Sequence, residues 1–224
     1  MSILSNLDLI RRVPLFSTLT QAQAESIANA VVKRRFKRGE VIVEQGKKSN
    51  FLAIVLIGRA RVVTTDTRGR EVILATMNPG DYMGEMSLID NQPHSATVRA
   101  EVQTDALILG RPEFARCLSE NTSVAYSVMR GLVQRLRQAD RKIESLALMD
   151  VYGRVARALL EFAVPDKEGR QVIRDRVSRQ DVAKMIGASR EMVSRVMKDL
   201  EDRGFIEITD DGSTVVKDRL TALG

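Results

Sequence analysis

Arg190, Glu191, Ser194, Arg195 and Lys198 recur at the intervals that bring side chains onto one side of a helix. Two arginines near the start of such a helix can grip O6 and N7 of guanine in bidentate fashion. A carboxylate beside them can accept from N4 of cytosine. The same segment carries Val193, Val196, Met197 and Leu200, an apolar stripe that expects burial on the other side. Ser189 suits an N-cap, and Gly187 suits the left-handed stop of a preceding helix. Ser178 and Asp181 form a capping pair for that helix, ahead of Val182, Met185 and Ile186. Beyond Gly204, the runs Phe205 to Thr209 and Thr214 to Lys217 flank Asp210-Asp-Gly-Ser213 and predict a hairpin. Helix, glycine turn, helix and hairpin make a winged helix-turn-helix, for which double-stranded DNA is the expected partner.

Other residue types that do chemistry are sparse. His94 is the one histidine, and Ser95 beside it has neither an oriented carboxylate nor a nucleophile elbow. Asp81 and Glu85 are close in sequence, but turn formation explains Asp81 better than acid–base work. There is no Walker loop, no HExxH and no dinucleotide fingerprint, so an enzyme is not expected. One cysteine, Cys117 among Phe114, Ala115 and Leu118, excludes an internal disulfide, a four-cysteine iron–sulfur cluster and a structural zinc site. It reads as packing, and with no cysteine near His94 in sequence no haem is expected. A reducing cytoplasm is the expected compartment.

The charge agrees once it is cut into segments. The 224 residues carry 35 basic and 29 acidic side chains. Residues 1–149 hold 21 basic against 15 acidic, and residues 150–224 hold 14 of each. Within that neutral part, residues 170–198 hold eight basic side chains (Arg170, Arg174, Arg176, Arg179, Lys184, Arg190, Arg195 and Lys198) against three acidic ones. The other basic run, Lys33 to Arg38, reads as a solvated strand edge.

Several elements must position these groups. From about 35 to 110, short aliphatic runs alternate with Gly39, Gly46, Gly58, Gly69, Gly80 and Gly84, and Asn78-Pro-Gly80 is a strong turn signal. This pattern predicts an antiparallel barrel or sandwich, preceded by short helices at Leu4 to Val13 and Thr20 to Val32. From about 122 to 148, Ala125, Met129, Leu132, Leu136, Ala139, Ile143 and Leu146 follow 4-3 spacing, a seam that expects the same helix of a second chain and hence a homodimer. No apolar run approaches the roughly 20 residues of a membrane span, so no membrane partner is expected.

With these residues in view, the chain resembles the cAMP receptor protein/FNR family of bacterial transcription regulators. The resemblance rests on Val13-Pro-Leu-Phe-Ser17, Pro79-Gly-Asp-Tyr-Met-Gly-Glu-Met-Ser-Leu88, Leu146-Ala-Leu-Met-Asp-Val-Tyr-Gly-Arg154 and, most specifically, the stretch from Val177 to Lys198. It implies an α+β chain: a cyclic-nucleotide-binding-type β-roll (jelly roll) sensor at 1–111, a coiled-coil dimerisation helix at 112–148 and a winged helix-turn-helix at 149–224. It further implies that Arg190, Glu191 and Arg195 read a TGTGA-like half-site of a palindrome, that Arg179 and Ser189 touch phosphates, and that RNA polymerase is a partner.

In the sensor, the resemblance implies that Gly84 and Glu85 open a phosphate cassette that Ser95 and Ala96 close, with Glu85 on a ribose hydroxyl. The position of the family's phosphate-gripping arginine holds His94, which at neutral pH gives one directed donor and no charge. The positions that reach adenine hold Ala139 and Asp140, and an acceptor-only carboxylate suits the donor edge of guanine better. Cyclic di-GMP, served by Arg59, Arg61, Arg99 and Arg141, is therefore expected ahead of a cyclic mononucleotide (cAMP or cGMP). The alternatives are a regulator of the same fold with no ligand or a different one, and a sensor or interaction module that binds DNA weakly.

Overall fold

The computed structural model describes residues 5–174, 178–209 and 212–222. They form two compact units, Met1–Arg135 and Leu136–Gly224.

The first unit opens with two short helices that the chain caps with its own side chains. Ser5 accepts from the amide of Asp8, whose carboxylate returns to the Ser5 amide, ahead of α1 (Asn6–Arg12). Thr20 and Gln23 repeat this capping box ahead of α2 (Gln21–Ala30). Eight strands follow: β1 (Val32–Phe36), β2 (Val41–Val43), β3 (Phe51–Ile57), β4 (Ala60–Thr65), β5 (Glu71–Met77), β6 (Tyr82–Met83), β7 (Thr97–Ala100) and β8 (Thr104–Gly110). A six-residue helix, α3 (Glu85–Asp90), lies between β6 and β7, where the sequence reading expected no helix. The strands make two antiparallel sheets ordered β1-β8-β3-β6 and β2-β7-β4-β5.

Alternation along β3 explains its unbroken apolar run. Ala53 and Val55 turn into the space between the sheets with Phe36, Met77, Met83, Val98 and Ala106. Leu52 and Ile54 turn the other way, onto a cluster with Ile10, Phe16, Ile27, Leu107, Phe114, Val124 and Val128. A strand covered on both faces carries no polar alternation. The basic run is indeed on an exposed strand, since Lys33, Arg34 and Arg35 of β1 all face solvent. Lys33 and Arg35 meet the buried carboxylate of Asp105 at 3.2 and 2.7 Å.

The expected helix at 112–148 is two helices. Gly110 and Pro112 start α4 (Arg111–Glu120), and α5 (Thr122–Leu148) begins after a break at Asn121. The Asn121 backbone N–H donates to the Cys117 carbonyl at 3.1 Å, and its side-chain amide donates to the same carbonyl at 3.0 Å, so one residue closes the end of α4 twice.

In the second unit, Asp150 caps α6 (Val151–Phe162) by accepting from Gly153 N at 2.8 Å. Two short strands unforeseen from sequence follow, β9 (Val164–Pro165) and β10 (Gln171–Ile173). Their turn is closed by Asp166, which accepts from the amides of Glu168 and Arg170 and from Arg170 Nε. Then come α7 (Arg179–Ile186), α8 (Arg190–Asp202), β11 (Ile206–Ile208) and β12 (Thr214–Val216), with sheet order β11-β12-β10-β9. The core joins Val155, Leu159, Ile173, Val182, Ile186, Val193, Leu200, Ile206 and Val216. Among the described residues no helix is long and apolar enough to cross a membrane.

Candidate nucleic-acid interface and ligand cavity

Local sequence dictates the helix pair. Ser178 accepts from Asp181 N at 3.0 Å and starts α7, and Gly187, at φ +66°, ends it in the left-handed region that favours glycine. Ser189 then accepts from Met192 N at 3.2 Å and starts α8. Val193 and Leu200 are fully buried and Val196 and Met197 partly so, which fixes the rotation of α8 about its axis. Arg190, Glu191, Arg195 and Lys198 are left exposed, Ser194 is half-buried, and Arg179 and Ser189 are exposed at the starts of the two helices. Hydrogen bonds from its own amide and from Ser189, with the two nearby arginines, hold the Glu191 carboxyl below its ordinary range. It stays ionised, an acceptor set between cations. Of the other cations in this segment, Arg170 is held by Asp166 at 2.8 Å and Arg174 is exposed. Arg176, Val177, Asp210 and Asp211 lie outside the described residues.

The first unit holds a cavity of about 260 Å³ lined by Val43, Val62, Met83, Gly84, Glu85, Ser87, Asp90, His94, Ser95, Ala96 and Arg135, among others. Gly84 has φ +93°, and a Cβ there would lie 2.7 Å from the Phe51 carbonyl, so only glycine fits between the cavity wall and β3. Glu85 is 1% exposed. Its Oε1 meets Arg135 Nη1 at 2.5 Å, while Oε2 is buried and has no hydrogen-bond partner. Desolvation pushes the Glu85 carboxyl above its ordinary range, and the Arg135 charge opposes the rise. His94 Nε2 lies 2.8 Å from Ser49 Oγ, and the backbone of His94 bonds Gly46 and Lys47, so this residue ties the β2–β3 loop to the cavity rim. Burial lowers the basicity of the ring, which leaves the imidazole uncharged at neutral pH.

The residues expected to serve a nucleotide are not all gathered. Gly84, Glu85, His94, Ser95 and Ala96 line the cavity, whereas Arg59, Arg61 and Arg99 do not. Arg59 meets Glu101 at 2.9 Å, Arg61 meets the same carboxylate, and Arg99 meets Glu71 at 3.3 Å. Cross-strand carboxylates thus engage the charge that was expected to hold phosphate. Asp140 and Arg141 belong to the second unit and are exposed. The cation that does reach the cavity, Arg135, was not singled out from sequence. A signal existed: Val124, Val128 and Leu132 form the barrel-facing stripe of α5, and Arg135 continues it with a charge.

The same stripe revises the seam. Leu132 packs against the barrel's own core, and Ala125 is half-buried. Met129, Leu136, Ala139, Ile143 and Leu146 are exposed, joined by Tyr126 and Val133, which the 4-3 count passed over. A helix with two apolar faces yields two interleaved registers, and spacing alone cannot separate them.

Comparison with known proteins accounts for both units. Residues 33–121 match the cyclic nucleotide-binding domain, and residues 153–221 match the Crp-like helix-turn-helix domain. The cAMP-activated global transcriptional regulator Vfr of Pseudomonas aeruginosa is 32% identical over 193 residues, covering 82% of this chain and 88% of Vfr. The cAMP-activated regulator CRP of Salmonella typhimurium is 31% identical, covering 81% and 87%. Among solved structures, the c-di-GMP-responsive global regulator CLP of Xanthomonas campestris superposes with a TM-score of 0.74 at 25% identity, covering 88% of this chain and 98% of that one. A cyclic nucleotide-binding domain and a Crp-like helix-turn-helix domain thus share one chain, and that chain belongs to the Crp/Fnr family of DNA-binding transcriptional regulators.

Proposed function

We propose that this regulator acts as a homodimer that reads a palindrome of TGTGA-like half-sites and responds to a nucleotide-type effector in its β-roll, with RNA polymerase as its downstream partner. The carrying observation is the Glu85 carboxylate, buried, with one oxygen on Arg135 and the other without a partner beside the cavity. An orphaned buried acceptor costs about 1–3 kcal/mol, and a ligand hydroxyl or amine offsets that cost on binding. A sugar hydroxyl supplies such a donor. The exposed Arg190, Glu191 and Arg195 support the half-site, through bidentate guanine contacts and a cytosine N4 contact.

Within this class, cyclic di-GMP stands first. The likeness to the c-di-GMP-responsive CLP supports this order. A specific observation favours a second reading, a cyclic mononucleotide such as cGMP or cAMP: the cavity is of modest volume and one guanidinium lines it, with Arg59, Arg61 and Arg99 elsewhere. Calorimetric titration of the full-length protein with cyclic di-GMP, cGMP and cAMP, with and without a selected operator duplex, separates the two. Silence from all three removes the effector, and failure to select any operator removes the half-site.

A further inference from the structure

Gly131 sits in the interior of α5, where glycine weakens a helix relative to alanine. Its backbone makes no left-handed demand, so space is its reason for being there. A Cβ at this position would lie 2.1 Å from Tyr82 Oη and 3.2 Å from Tyr82 Cζ. The phenol lies across the helix over that gap and donates to the Val128 carbonyl at 3.4 Å. One turn on, the Arg135 guanidinium stacks 5.0 Å from the centre of the same ring and donates to the Tyr82 backbone carbonyl at 2.5 Å. The remaining arm of that guanidinium holds Glu85 Oε1.

The geometry points to Tyr82 and Gly131 as paired positioning residues: the gap at Gly131 seats the Tyr82 ring, the ring seats Arg135, and Arg135 turns the Glu85 carboxylate so that one oxygen is left for a ligand. The inference rests on the reading of this cavity as an effector site, but its first test needs no effector. Any side chain at 131 displaces the ring from beneath Arg135 and weakens the guanidinium's hold on Glu85. Because the Arg135 charge restrains the rise of the Glu85 carboxyl, a misplaced Arg135 lets that carboxyl titrate at higher pH. The other titratable or charged groups facing Glu85 are Tyr82 itself and, on the cavity wall, Asp90 and His94. Asp90 and His94 are unchanged in the variants below.

The experiment follows the side-chain carboxyl carbon of Glu85 by NMR in the ligand-free full-length protein, assigned by its loss in Glu85→Gln. Gly131→Ala is expected to raise the Glu85 midpoint by about half a pH unit or more, roughly threefold in proton affinity. Tyr82→Phe, which keeps the ring, shifts it little. The double variant Gly131→Ala/Tyr82→Phe, in which the colliding hydroxyl is gone, returns to within about 0.2 units of the parent. A general effect of alanine on helix stability would instead add to the Tyr82→Phe effect without rescue. Tyr82→Leu keeps the gap but removes the ring, so it raises the midpoint even if Gly131→Ala does not fold. Calorimetry with cyclic di-GMP and cGMP on the same variants is expected to show at least about fivefold weaker binding for Gly131→Ala and recovery in the double variant. An unshifted midpoint in Gly131→Ala or in Tyr82→Leu, or additivity in the double variant, overturns the inference. Nucleotide silence of the parent protein overturns the effector reading alone, since the carboxyl titration stands without it.

Discussion

Removing the Arg135 side chain isolates what the cavity does to Glu85. Glu85 is 1% exposed and Arg135 side chain 37%. Breaking a fully buried ion pair costs about 3–5 kcal/mol, because the surviving charge is stranded. The partial exposure of Arg135 lowers this, since water already shares its charge, and about 2 kcal/mol is the expected loss for Arg135→Ala near neutral pH. The loss has a ceiling, because a stranded glutamate can take up a proton at about 1.36 kcal/mol per pH unit between the assay pH and its own pKa. The sign follows from linkage. The Glu85 carboxyl lies above its ordinary value in the folded chain, so the folded state binds the proton more tightly and stability falls as pH rises from the unfolded to the folded pKa. Arg135→Ala raises the folded value further and widens that window upward. The variant should therefore match the parent at about pH 4, near the unfolded pKa, and diverge as pH rises to 8. Amide hydrogen exchange of Ala53 and Val55 on β3 reads this locally, without requiring one transition for both units. A penalty that is equal at both ends of the pH range, or below about 0.5 kcal/mol at pH 8, refutes the stranded-charge argument.

Three further outcomes can be measured directly. Arg190→Ala should cost about 1–3 kcal/mol on a selected operator and relax base preference at one position, whereas Arg179→Ala should weaken all duplexes alike and reduce the salt slope by about one. Leu136→Asp puts a charge on the exposed apolar face of α5 and should shift sedimentation toward monomer, and an unchanged profile would remove that face from the dimer. Cys117 is buried and its thiol is pushed up to about 11, chiefly by desolvation, so it should react with iodoacetamide at pH 8 roughly a hundred times more slowly than in the unfolded chain.

The parts of this molecule legible in its sequence are those governed by local rules. Ser178, Gly187 and Ser189 act through neighbours three or four residues away, and the helix-turn-helix could be placed from them. Asn78-Pro-Gly80 likewise marks a turn, which Asp81 closes by accepting from Asn78 N at 2.8 Å. The cavity was half legible. Gly84, Glu85 and His94 to Ala96 were placed, but the charge was not, because an arginine's role depends on which carboxylate lies across the sheet. Arg61 pairs in register with Arg99 on the neighbouring strand, and both are drawn to glutamates that are distant in sequence. Arg135 meets Glu85 across 50 residues. The strands β9 and β10 were missed because each has only two or three residues and gains its partners from β12 and from the turn at Asp166.

The position of β8 in its sheet also dictates an order of events as the chain is made. β3 pairs with β8, and β1 pairs with β8 across the register Val32 to Ile108. Neither β1 nor β3 can close its ladder until residues 104–110 have left the ribosome. For that interval the apolar run from Phe51 to Ile57 is without its main partner, which is the condition under which nascent chains aggregate. Lys47 and Lys48 precede the run, and Arg59 and Arg61 follow it. Cations in such flanking positions discourage self-association of an unpaired strand. Arg59 and Arg61, which lie away from the cavity, thus have a use during synthesis that the finished molecule no longer displays.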